Sequence, residues 1–244
     1  MTCGCGQTTG VTGHLRASEI APNGLFVKIC GVTNEADALL CVAMGADALG
    51  FIFAAGSKRQ VAPSRVTDIV KRLPPEVVTF GVFRNDAPDR VVDIVLACGL
   101  RGAQLHGHES AEQTAEVARR VPVTLKVFAA GDPQIGKARH YPVELIMLDN
   151  PTPGSGEVFD WSLADGLPEG RKLVLSGGLG PVNVADAIRR VRPWGVDAAS
   201  GTESAPGQKD PRKVQNFIRN ARRAADALPG YQGVDDAPYD WQKE

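Results

Sequence analysis

The chain is short of the features that give several protein classes away. Its 27 lysines and arginines stand against 28 aspartates and glutamates, and the resulting net charge of -1 offers nucleic acid or an anionic membrane no bulk attraction. Any anionic ligand must meet a local site instead. Cysteine is sparse and odd in number. Cys3, Cys5, Cys30, Cys41 and Cys98 sit mostly within apolar runs, unlike the framework of a small disulfide-stapled secreted domain. The N-terminus lacks the apolar core of a secretory signal, and no membrane span is indicated. A reducing cytoplasm fits these absences. Only four histidines occur, and one of them, His14, lies in a Gly- and Thr-rich first segment, which is too few for a histidine-built metal site. The Cys3–Cys5 pair lacks the second ligand pair of a structural zinc site.

What is present is a regular alternation. With 43% hydrophobic and 23% charged residues, the 244-residue chain can bury a large core. Residues 1–24 show neither helix nor strand periodicity and read as a flexible extension; residues 229–244 read as a polar tail whose aromatic residues can dock on the body. Between them, over 25–228, short runs of Val, Ile, Leu and Phe alternate with longer amphipathic segments, the pattern of βα units around a parallel sheet. Strands are predicted at 25–29, 48–53, 77–83, 102–106, 123–128, 143–149, 172–176 and 196–200, with roughly eight helices between them. Several helices open at Asn, Ser, Asp or Pro and several close at Gly, as capping chemistry requires. Eight units in this length suit a single-domain α/β fold, the (β/α)8 TIM barrel. A doubly wound open sheet is disfavoured because no G-x-G-x-x-G follows the first strand.

Barrels of this kind bind ligands at the C-terminal mouth, so the residues that end each strand carry the chemistry. Strand one ends in Cys30, which is either inert filling or a thiolate near its ordinary pKa. Lys28, in the same strand, is read as pointing elsewhere. Strand two is followed by Arg59, strand four by Gln104 and His106, strand six by Asp149, and strand eight by Asp197 beside Ser200 and Gly201. The last two loops, LSGGLGPVN and AASGTESAPGQKD, are rich in glycine. Gly177, Gly178, Ser200 and Gly201 could cradle a phosphate on open backbone N–H groups; the alternative is that the glycines merely turn the chain. Gly154 and Gly156 could add a mobile third flap. Asp149 closes an apolar strand, where shielding from water favours the neutral carboxyl and raises its pKa; a capping or salt-bridged aspartate is the alternative. A proton donor and a thiolate facing one small molecule from two sides could move a proton within a sugar phosphate.

The ordered motifs KICGVTNEADA, GFIF with SKRQV, GVFRN, AQLHG, MLDN with GSGEVFDW, SGGLGPVNV and VDAASGTESAPGQKD resemble the phosphoribosylanthranilate isomerase family of tryptophan biosynthesis over about Val27 to Ala224. The resemblance implies an Amadori rearrangement of a phosphoribosyl anthranilate, with Asp149 as general acid and Cys30 as general base. It implies that Arg59 faces the anthranilate carboxylate, that Asp197 bonds the sugar hydroxyls, and that His106 lies at the mouth as a substrate neighbour or packing residue. It implies no metal, no cofactor, and a monomer or homodimer acting on a small-molecule substrate. Gln60, Arg84, Ala199 and the PTPGSGE loop depart from the family pattern. Competing readings are a catalytically silent sugar-phosphate-binding barrel and a related enzyme such as indoleglycerol-phosphate synthase. For the synthase, Lys126 is the nearest catalytic lysine, with no paired Glu expected at a neighbouring strand end.

Overall fold

A computed structural model describes residues 17–21, 24–152, 158–164 and 170–231. Within it the eight predicted strands close into a parallel barrel in sequential order, from β1 (Phe26–Cys30) to β2 (Ala48–Ile52), β3 (Val78–Phe83), β4 (Gly102–Leu105), β5 (Val123–Ala129), β6 (Leu145–Asp149), β7 (Lys172–Leu175) and β8 (Gly195–Ala198). β8 pairs back onto β1 with Lys28 opposite Asp197. Alternation sorts the side chains of β1. Val27 and Ile29 face the layer beneath the helices, while Phe26 joins the interior with Phe80, Leu125, Met147 and Val174.

The outer layer follows its caps. α2 (Glu35–Ala43) starts where the Asn34 side chain accepts from the Asp37 backbone N–H. α3 (Pro63–Val70) and α4 (Pro88–Ala97) each start on a proline, whose missing N–H has no partner to lose there. α5 (Ala111–Ala118) carries a Ser110–Gln113 capping box. α6 (Val184–Val191) and α7 (Pro211–Asp226) pack on one another. Arg222 of α7 reaches the Leu25 carbonyl and sits 2.7 Å from Asp47, whose carboxylate also accepts the Val27 N–H, so the last helix fastens the first strand.

Three expectations are revised. Among the described residues, β5 is followed by a 3-10 segment, Pro133–His140, and β6 by Trp161–Ala164, so the ring holds fewer α-helices than the eight expected. Gly136 and the scarcity of apolar residues in PQIGKARH account for the first. Helix α1 (Ala17–Ile20) lies inside the span read as an extension, and Ile20 and Ala21 are buried in the interior cluster with Phe26 and Trp194, themselves stacked 4.8 Å apart. Beyond β8 the chain turns through Ser200–Thr202 into a small hairpin, β9 (Glu203–Ala205) and β10 (Gln208–Lys209), where an irregular loop was expected. At the other end Tyr231 packs on the core and donates to the Pro193 carbonyl, so the start of the polar tail docks. The reading of Gly154 and Gly156 as a flap falls outside the described residues.

Candidate active site

Each strand delivers its last residue to one end of the barrel, where a cavity of about 480 Å3 opens. Nine of the strand-end and loop residues singled out from the sequence line it: Cys30, Arg59, Gln104, His106, Asp149, Gly177, Gly178, Asp197 and Ser200. Gly201 stands behind the wall. A Cβ there would lie 2.0 Å from the Leu179 carbonyl oxygen, so this glycine lets the loops after β7 and β8 touch.

Cys30 ends β1 and is 5% exposed. The alternation that brings it into the barrel also brings Lys28, because residues two apart share a face. The expectation that Lys28 points elsewhere is therefore corrected. Its Nζ, fully buried, stands 2.8 Å from Asp197 Oδ1, and Ser176 Oγ donates to Asp197 Oδ2 at 3.3 Å. Burial alone would pull the Lys28 ammonium down, but Asp197 and Cys30 hold it above the ordinary lysine value. The thiol is also displaced. Burial pushes Cys30 up, Lys28 and Lys209 pull back without cancelling that push, and Asp197 adds to it. Burial thus holds this thiol above the ordinary pKa that the sequence suggested.

Arg59 lies across the same wall and makes a two-pronged contact with Glu203 of β9, Nε to Oε1 at 2.8 Å and Nη2 to Oε2 at 2.8 Å. Burial would raise the Glu203 carboxyl, yet Arg59 and Lys209 hold it below the usual carboxylate range. Lys209 Nζ in turn donates to the carbonyls of Cys30 at 2.7 Å and Ala199 at 3.1 Å, tying the hairpin to the end of β1. The solvated loop arginine that residue type alone suggests is instead braced by a buried carboxylate.

β6 lies three strands from β1 by the shorter way round, so Asp149 faces Cys30 from nearly the opposite wall. Its Oδ1 accepts the Asn150 N–H at 2.9 Å. Its Oδ2 lies 3.0 Å from His106 Nε2, without the alignment of a hydrogen bond. His106 Nδ1 meets the Gln104 amide at 3.1 Å. His106 thus stands between Gln104 and Asp149 on the cavity wall.

Lys126 does have a carboxylate partner, contrary to expectation. Glu109, in the loop after β4, stands 2.6 Å away, and both side chains are almost fully buried. Lys126 also donates to the Gly107 carbonyl at 2.8 Å, and Glu109 accepts from the Asn85 N–H at 2.9 Å. Neither residue lines the main cavity; both line a smaller chamber behind His106 and Asp149. This pair braces the β4 and β5 loops. Of the departures from the family pattern, Arg84 and Ala199 line the main cavity, and the Gln60 side chain makes a long contact, 3.4 Å, with the Phe53 carbonyl.

Sequence reasoning passed over Lys28, Glu203 and Lys209. A strict count of two along β1 would have found the first. The other two sit in a loop read for its glycines as a phosphate cradle, where a charged pair drew no reading.

A parallel (β/α)8 barrel whose mouth gathers a buried thiol, a buried carboxyl and two Gly-rich loops defines an acid–base barrel enzyme. A family model described as N-(5'phosphoribosyl)anthranilate (PRA) isomerase matches residues 27–220. The N-(5'-phosphoribosyl)anthranilate isomerase of Desulforudis audaxviator is 44% identical over 206 residues, which is 82% of this chain and 98% of that protein. The crystal structure of phosphoribosyl anthranilate isomerase from Thermus thermophilus superposes with a TM-score of 0.76 at 40% identity, over 82% of this chain and 98% of that one. A second crystal structure of the isomerase, in complex with reduced 1-(o-carboxyphenylamino)-1-deoxyribulose 5-phosphate, has a TM-score of 0.72 at 41% identity, covering 82% and 99%. The chain belongs to the N-(5'-phosphoribosyl)anthranilate isomerase family.

Proposed function

We propose that the chain converts N-(5-phosphoribosyl)anthranilate to 1-(2-carboxyphenylamino)-1-deoxyribulose 5-phosphate in tryptophan biosynthesis. The observation that carries the reading is one cavity with Cys30 on one wall and Asp149 nearly opposite, in a chain of this family. Asp149, protonated, gives its proton to the furanose ring oxygen. The C1'–O bond breaks with its electron pair on oxygen, and the anthranilate nitrogen lone pair forms a protonated imine at C1'. That imine acidifies the C2' proton, which passes to the Cys30 thiolate, and the C–H electrons form the C1'=C2' bond of an enolamine. Tautomerisation gives the ketone at C2'.

The other side chains bind. Arg59, held by Glu203, offers its guanidinium to the anthranilate carboxylate. Asp197 accepts from sugar hydroxyls, and Gly177, Gly178 and Ser200 present the phosphate-binding loops. His106 stands beside Asp149 on the cavity wall. No step calls on a metal or redox cofactor. Every side chain invoked comes from a single chain, so a monomer or a homodimer can carry the chemistry. We place the reaction in the cytoplasm, in keeping with the free thiols of the buried Cys30, Cys41 and Cys98. No helix among the described residues is long and apolar enough to cross a membrane.

The test is loss of the fluorescence of the aminoaldose substrate on adding purified protein, joined to complementation of a strain that lacks the isomerase on medium without tryptophan. Turnover and growth are expected. A folded protein that binds the aminoaldose and never converts it would overturn the proposal in favour of a silent sugar-phosphate binder.

A further inference from the structure

The mechanism above leaves the fully buried charge of Lys28 unused. Lys28 is enclosed inside the barrel, in a layer shared with apolar neighbours such as Phe80, whose ring centroid lies 6.0 Å from Nζ. An ammonium there is not a cheap way to make a core. Burying an ion pair in place of well-packed apolar residues is neutral or unfavourable for stability, because desolvation of both charges offsets their attraction. The geometry around it points to the reaction instead. β2 carries Gly50 opposite Cys30, and a Cβ on that glycine would lie 2.7 Å from Cys30 Sγ and 3.1 Å from Lys28 Nζ. The thiol and the ammonium therefore converge over one bare stretch of backbone, with Asp197 on the far side of the ammonium.

We infer that Lys28 is a positioning residue for the proton-removal step, its ammonium fixing Asp197 with one side and giving the Cys30 thiolate a positive neighbour with the other. The inference rests on Cys30 as the base. The ionisable groups facing that sulfur are Lys28 from β1, Asp197 from β8, Lys209 from β10 and Arg59 from the loop after β2. Lys209 is held by the Cys30, Ala199, Thr202 and Glu203 oxygens, and Arg59 by Glu203, whereas the partner of Lys28 is the substrate-facing Asp197. A sugar that draws Asp197 toward its hydroxyls thereby frees Lys28 to favour the thiolate. In that way occupancy of the site prepares the base.

The experiment is the pH dependence of Cys30 alkylation by iodoacetamide, followed at that residue by peptide mass spectrometry, beside steady-state kinetics. Lys28→Gln keeps an N–H for Asp197 and removes the charge. At neutral pH its Cys30 should alkylate about tenfold more slowly, equivalent to one pKa unit, with kcat falling by a similar factor and KM changing much less. A folded Lys28→Gln protein whose Cys30 profile overlays the wild type overturns the inference. If that variant does not fold, Lys28→Met/Asp197→Asn, which leaves no unpaired charge in the core, is compared with Asp197→Asn. The double variant should alkylate more slowly, and identical profiles overturn the inference. Cys30→Ala separates this result from the reaction itself. Retained turnover in Cys30→Ala defeats the catalytic reading, whereas an inactive Cys30→Ala with unmoved Lys28 variants defeats only the role given to Lys28.

Discussion

The β8–β1–β2 side of the mouth and the β4–β6 side are assembled from the same kind of strand end, yet they satisfy their buried polar groups differently. On the first side the partners are full charges: Lys28 with Asp197, and Arg59 and Lys209 with Glu203. On the second, Asp149 meets a backbone N–H and the nearby His106 imidazole, which in turn meets the Gln104 amide, and the one charged pair, Lys126 with Glu109, is set back in the smaller chamber. The difference suits the roles proposed for the two sides. A buried thiol resists ionising, and only nearby cations oppose that resistance. A carboxyl that must give a proton away gains nothing from a fixed cation, which would hold it ionised. An imidazole, charged only when protonated, is a partner compatible with both states of the acid.

The largest effects should fall on the two groups that exchange protons. Cys30→Ala and Asp149→Asn are each expected to lower kcat by about 10² to 10⁴, with binding largely kept, as for the removal of a general base or acid. Near-normal turnover in either variant breaks the comparison on that side. Gly50→Ala should come next and act on one side only. The added methyl would stand 2.7 Å from Cys30 Sγ, so the sulfur must move, and overpacking of this kind costs about 1–3 kcal/mol. We expect kcat to fall by about 10- to 100-fold, the loss that a displacement near 1 Å brings at a reacting atom. Unchanged kinetics would mean that the sulfur is free to relocate and that the convergence over Gly50 is incidental.

How much of this was legible in the sequence depends on which physical rule each residue obeys. Cys30 and Asp149 were readable because parallel strands in a barrel all end on one face, so the last residue of an apolar run is placed by topology alone. Lys28 obeys an equally simple rule, the period of two, but a lysine within a hydrophobic strand invites the assumption that it points to water. Glu203 and Lys209 were illegible for a different reason. Their importance comes from a hairpin that turns at Pro206 and Gly207, whose strands carry few apolar residues and so leave no periodic trace. Ile20 and Ala21 were hidden by the Gly- and Thr-rich residues before them.

Arg59 tests the charged side where it meets ligand. Arg59→Ala should raise KM by about 10- to 100-fold and leave kcat within a few-fold, since a charge-assisted hydrogen bond is worth about 1.5–3 kcal/mol. An unchanged KM would remove this arginine from binding and leave it as a brace for the β9–β10 hairpin. A fall in kcat larger than the rise in KM would indicate that it acts through Cys30, and the charged wall would then be one catalytic unit.

The smallest expected effect concerns stability and isolates the brace from the chemistry. The Glu203 carboxyl is held below its ordinary value in the folded protein, so its contribution is complete above about pH 4.3, the unfolded glutamate value, and is lost as pH falls through the lower folded value. Glu203→Gln has no such proton to take up. The urea midpoint of wild type should therefore exceed that of Glu203→Gln near neutrality, and the gap should narrow as the pH drops below about 4. A gap that stays constant into acid would assign the loss to the amide's poorer packing against Arg59. A gap that closes would show that this side of the mouth is held by charge, and that any acid-induced loosening of Arg59 begins at Glu203.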